Sequence, residues 1–225
     1  MKKASLLVLL AFCFAACNNK KNIPDISNSR VDLSVERFDE AFFGMDTMQV
    51  DKSLNEINQK FPELLPPFLQ TIVGVTDTTG IKTFFRLYKP VFDSSQKLYR
   101  DFASVKRELK EAFSYVKYYF PSYKVPQKII PIVGPMNSIE DMAKMANGDF
   151  TPNFIGPDFL GLSLQFYLGG NFSLYKNDYF INNVVPLYRS RRFAKEYIVA
   201  DVMKLIADDI FPDKSNTRPL VEQMI

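Results

Sequence analysis

From Val31 onward the chain switches between two periodicities, and the switches mark its elements. Val31, Leu33 and Val35 alternate with polar residues, which predicts a short strand leading into Arg37-Phe38-Asp39. Val50, Leu54, Ile57 and Phe61 recur at helical spacing, so a helix is expected there, capped by Asp46 or Thr47 and stopped by Pro62. Pro66 and Pro67 open another short helix through Phe68, Ile72 and Val73, and residues 76–80 read as a turn. Helices are then expected over Ile81–Tyr88 and Val91–Tyr99, and over Asp101–Phe120, where Phe102, Val105, Leu109, Phe113 and Val116 make an apolar stripe with Asp101 as cap.

The pattern changes at Val125-Pro126. Ile129, Ile130, Ile132 and Val133, closed by Gly134-Pro135, read as a buried strand. Ser138 should cap a helix through Ile139, Met142 and Met145 that ends near Asn147-Gly148. Phe154-Ile155 and Leu160 to Tyr167 read as further strand, closed by Gly169-Gly170, and the last strong helix spans Ala194–Ile210. The expected fold is α+β, predominantly helical with a small central β-sheet, in a single domain over 31–225. No fixed repeat recurs. The closing Leu220-Val221-Glu222-Gln223-Met224-Ile225 reads as a helix start with no stop signal, so the domain is expected to be truncated at its C-terminus.

The amino terminus follows another logic. Lys2 and Lys3 precede an apolar run, Ala4 to Phe14, of 11 residues, too short to cross a bilayer and of signal-peptide size. It ends in Phe14-Ala15-Ala16-Cys17, whose small residues suit a peptidase cleft and whose cysteine offers a thiolate for lipid transfer. The expectation is a signal peptide at 1–16, lipidation of Cys17 with fatty acyl chains such as palmitate, and a polar tether at 17–30.

Composition narrows the chemistry. Both cysteines, Cys13 and Cys17, lie in this leader, so no disulfide framework is available to the body. The 28 Lys and Arg lose Lys2 and Lys3 with a signal peptide, leaving 26 against 25 Asp and Glu, a balance that does not indicate nucleic-acid binding. Arg189, Arg191, Arg192 and Lys195 form the densest basic cluster, expected as a solvated helix entrance or as a contact for a partner or lipid headgroup. Histidine is absent, which removes His-based metal sites and catalytic triads from the residues of this sequence. Asp158, Glu196, Asp201, Asp208 and Asp209 are the carboxylates from which a hard-cation or paired-acid site would be drawn, but they lack metal-loop spacing and read as helix-surface groups. The many tyrosines between Tyr115 and Tyr197 would either line a peptide or glycan groove or fill the core with hydroxyls at its rim. Gly169-Gly170-Asn171 reads as a strand-end turn, lacking the glycine pattern of a phosphate loop.

Several segments carry a resemblance. Leu162-Ser163-Leu164-Gln165-Phe166-Tyr167-Leu168-Gly169-Gly170, Pro186-Leu187-Tyr188, Arg191-Arg192-Phe193, Glu196-Tyr197-Ile198 and Asp201-Val202-Met203, with Val35-Glu36-Arg37-Phe38-Asp39 and Phe61-Pro62 upstream, resemble the gliding-motility lipoprotein family GldB of Bacteroidetes. Gln165 departs from the Asp seen at that place in many members. The resemblance extends distantly to zincin-type metallopeptidases, whose zinc positions would fall on Ala200, Asp201 and Lys204; Ala200 has no donor and Lys204 presents a cation, so a degenerate zincin-like scaffold without metal is implied.

The resemblance therefore implies a non-catalytic binding or assembly component with no cofactor, held to the outer membrane by its lipid at the periplasmic face, with partners in gliding or secretion machinery. Its candidate binding surface comprises Tyr167, Tyr175, Tyr188, Arg191, Arg192, Tyr197 and Asp201. Two other readings stay open: a hydrolase whose carboxylate-based site is completed beyond Ile225, and a helical adaptor that binds peptides in an aromatic groove.

Overall fold

The computed structural model describes residues 23–136, 152–185 and 187–212. The leader with Cys17, the helix expected after Ser138 and the closing Pro219 to Ile225 segment lie outside the described residues. Four strands form one mixed sheet in the order β1 (Ser34–Val35), β2 (Lys128–Ile132), β4 (Phe159–Ser163), β3 (Phe154–Ile155). β1 and β4 both run parallel to β2, with Ser34 opposite Lys128 and Ile130 opposite Gly161, while β3 is antiparallel to β4. Every residue of β4 is buried, as are the last four of β2, which explains their near-continuous apolar sequences: central parallel strands are covered on both faces. The rest is mostly helix, and the fold is α+β.

The helices follow their apolar stripes. α1 (Phe38–Phe43) packs on β2 and inserts Phe38, Phe42 and Phe43 into a cluster of rings with Phe61, Phe68, Phe84 and Phe92, at centroid distances of 4.9 to 6.1 Å. Such edge-on and offset pairs add to the burial of apolar area. α2 (Val50–Lys60) and α3 (Thr78–Tyr99) flank α1, and α4 (Ala103–Tyr119) packs on α5 (Ile198–Ile210). Buried residues from Val31 to Ile206 make one continuous core.

The structure corrects several boundaries. Pro90 does not divide the chain: α3 runs through it for 22 residues, because Ile81, Phe84, Val91, Phe92 and Tyr99 lie on one buried face and hold both halves in register. Its cap is Asp77, whose Oδ1 accepts from the Gly80 amide at 2.9 Å. α2 has no side-chain cap; Asp46 instead accepts from the Met48 amide at 2.8 Å, before the helix begins. α1 was not foreseen, since six residues show too little of a helical period. Phe68–Val73 winds as a π-helix closed by Gly74 at φ 75°. The expected strand to Tyr167 stops at Ser163 and tightens into a 3-10 turn at Leu164–Phe166. The last α-helix starts at Ile198, preceded by a 3-10 turn at Lys195–Tyr197.

Candidate functional site

Parallel strands direct their carboxyl ends to one side of a sheet, the usual place for a site in such folds. Beyond the ends of β2 and β4 the chain gathers several buried polar groups. Asn153, just before β3, accepts from the Ser163 amide at 3.2 Å and donates its Nδ2 to the Tyr167 hydroxyl at 2.7 Å. The Tyr167 hydroxyl donates to Asp201 Oδ2 on α5 at 3.1 Å, and Arg192 donates to the other carboxylate oxygen at 3.2 Å. The Arg192 guanidinium also lies 5.3 Å from the centre of the Tyr197 ring.

The network continues into the helices. Tyr99, at the end of α3, donates its hydroxyl to the Tyr167 carbonyl at 2.6 Å, and its own carbonyl accepts from Arg37 at 3.1 Å. Arg37 also donates to Gln96 at 3.0 Å and makes two bonds to Asp39, whose side chain is fully buried. A polar seam thus runs from the start of α1 to α5. Burial pushes the Asp201 carboxyl above its ordinary range, with Tyr167, Arg192 and Lys204 opposing that shift. Burial likewise drives the Tyr167 phenol well up, and the charge of Asp201 adds to it. The phenol is therefore a proton donor that keeps its proton rather than a base or nucleophile.

Four of the seven residues of the candidate surface meet here: Tyr167, Arg192, Tyr197 and Asp201. Tyr167 and Tyr175 do not offer their rings to a ligand, because both are 0% exposed; as surface residues they are corrected to core. Tyr175 donates to the Gln165 carbonyl at 2.6 Å and accepts from the Leu168 amide at 3.2 Å, bracing the turn that follows β4. That turn needs Gly169, at φ 93°, whose amide donates to the Phe193 carbonyl at 2.7 Å. A side chain at Gly170 would meet the Arg191 backbone at 3.2 Å. Tyr188 is 70% exposed and Arg191 is exposed, apart from the seam. Sequence reasoning missed Asn153, Tyr99 and Arg37; the pairing of Arg37 with Asp39 two residues on was the one visible signal.

The candidate carboxylates are dispersed. Asp158 pairs with Lys128 at 3.2 Å, Asp208 with Lys204 at 2.8 Å, and Asp209 accepts from the Tyr123 hydroxyl at 2.7 Å. Among the described residues no three His, Cys, Asp or Glu gather as a metal-holding group. Gln165 is buried, and its Oε1 has no hydrogen-bond partner among the described residues. A cleft of about 520 Å³ opens at the other ends of the strands, between Phe61-Pro62 and Phe159; of its two lysines, Lys60 and Lys128, the second is shared between Glu36 and Asp158.

No curated protein and no solved structure matches this chain. A family model does, that of the gliding motility protein GldB, over residues 19–225. That span includes every residue of the polar seam and of the strands that position it, and the chain belongs to the family of the gliding motility protein GldB.

Proposed function

We propose that this chain is a lipid-anchored envelope protein, held through Cys17 at the periplasmic face of the outer membrane, that serves gliding or a related export machinery by binding other envelope proteins rather than by catalysis. Family membership supports the link to gliding and to the envelope. The non-acidic tether after Cys17 favours the periplasmic face. In the seam, the Tyr167 hydroxyl donates a hydrogen bond to one Asp201 oxygen and Arg192 donates to the other, an arrangement suited to bracing a scaffold.

The observation that carries the binding role is the exposure of apolar side chains in one packed segment. The turn Ser173–Lys176 packs against both Phe180–Val184 and Leu187–Ser190, and Leu174, Tyr179, Leu187 and Tyr188 stand out from these pieces into solvent. Arg189 and Arg191 flank them. Tyrosine and arginine around an apolar centre are the composition of protein-binding surfaces.

The test is affinity purification of the full-length protein from solubilised envelopes, wild type beside a Leu187→Asp/Tyr188→Asp variant, with Met48→Asp, at an exposed apolar residue between α1 and α2, as a variant outside this strip of Leu174, Tyr179, Leu187 and Tyr188. A defined set of envelope proteins should accompany the wild type and Met48→Asp and be lost with the strip variant, whose circular dichroism should be unchanged. Stoichiometric zinc in the purified protein, or an unchanged set of companions with the strip variant, would overturn the reading.

A further inference from the structure

The Asp25–Arg30 segment, where the tether joins the body, lies against α4 through its 3-10 turn Ser27–Ser29. A cleft of about 380 Å³ opens between them, large enough for a phospholipid headgroup. Arg107 and Lys110 stand one helical turn apart on α4 and, with Arg30 from the segment, supply three cations to its lining. Two carboxylates share that lining, and one of them, Asp25, accepts from the Ser27 amide at 2.9 Å. Arg30, Arg107 and Lys110 make no ion pair among the described residues, although the charge of Arg30 acts on Asp25, and set against Asp25 and Glu111 they leave the lining with a net positive charge.

Only six peptide steps separate Cys17 from Ile23. Even fully extended they reach about 20 Å, so an acylated Cys17 keeps this cleft within a short swing of the bilayer. Phosphate charge at a membrane surface attracts Arg and Lys once they come within a Debye length. We propose that this cleft is the face the protein turns to the membrane, with Arg30, Arg107 and Lys110 taking up the phosphates of anionic phospholipids. The inference rests on the reading of Cys17 as the anchor. The anchor then supplies attachment and the cleft supplies orientation, leaving the remainder of the body directed away from the lipid.

The test uses the lipidated full-length protein carrying a fluorophore on Asn28→Cys, an exposed position beside the cleft. Cys13 departs with the leader and Cys17 is acylated, so the label has one thiol to find. Vesicles are phosphatidylcholine alone, or phosphatidylcholine with phosphatidylglycerol, and the quencher is neutral acrylamide. The protein should float with both kinds, while the label should be shielded only on the anionic ones. Arg107→Ala and Lys110→Ala should each weaken the shielded state about fivefold, and raised salt should release it. Flotation with both kinds and a label equally open on both overturns the cleft alone. Flotation with neither overturns cleft and anchor together. Saturable binding of inorganic phosphate without any response to anionic vesicles also overturns it, giving the site to a free anion.

Discussion

Arg37 shows how much one residue holds in this molecule. It stands half-buried between α1 and α3, bonded to Asp39, Gln96 and the Tyr99 carbonyl, with Glu40 adding a contact at 2.8 Å from the rim. Burial alone would make its guanidinium easier to neutralise; the hydrogen bond and charge of Asp39 outweigh that and hold it more firmly protonated. Asp39 has no exposed side-chain area, so removing its partner strands a charge in the interior. Arg37→Met is expected to cost about 3–5 kcal/mol in urea unfolding, and pairing it with Asp39→Leu should recover part of that loss by removing the stranded carboxylate, while Gln96 and the Tyr99 carbonyl still lose their partners. In the sequence, Arg37-Phe38-Asp39 was legible as a family signature and as the end of a strand. Its role was not, because nothing local says that the carboxylate two positions on turns inward while Phe38 enters the ring cluster beside it.

Elements were most legible where a long stripe and a clear stop coincide, as in α4 and α2, and least where tertiary packing overrules a local rule. α3 is the instructive case. Pro90 lacks the amide that would bond back to the turn before it, and local reasoning therefore splits the helix. Two buried stretches on the same face, Ile81 with Phe84 and Val91 with Phe92, offset that loss, and Lys89 paired with Asp93 spans the site on the outer face. Pro90 is exposed, so Pro90→Ala should restore the bond without disturbing the core and stabilise the protein by about 1–3 kcal/mol, read as a rise in the thermal midpoint. No gain would mean that the helix is bent to fit its neighbours. The short turns between Ser173 and Ser190 were illegible for the opposite reason. They are too brief for a period to develop, and ring contacts among Phe172, Tyr175, Phe180 and Phe193 supplement their few helical bonds.

Across the whole molecule, the fold class followed from the balance of periods, and the candidate site only in part. Tyr167, Arg192, Tyr197 and Asp201 were drawn from one stretch of sequence and do meet; the residues that join them to the helices, Asn153, Tyr99 and Arg37, come from distant parts of the chain. Their convergence makes the protein sensitive to alkali. Tyr99, Tyr167 and Tyr175 all have phenols raised above their ordinary value of 10.0, each chiefly by burial. The folded state therefore retains phenolic protons that the unfolded chain releases, and stability falls as pH climbs past about 10. In a spectrophotometric titration, Tyr99, Tyr167 and Tyr175 should ionise only in the cooperative step that unfolds the protein. Tyr167→Phe should make that step shallower. Three tyrosines ionising smoothly before any loss of circular dichroism would contradict their burial.

The pairing of Ser34 with Lys128, and of Lys128 with Phe159, carries a consequence for how this polypeptide is made. The first strand to be made has no neighbour until most of the helical layer has been synthesised, and the central strand then waits in turn for its second. During that interval the apolar run from Ile129 to Val133 is an adhesive ribbon bare on the edge that awaits Phe159–Ser163, and a chaperone that shields it would be guarding a late seam of the molecule.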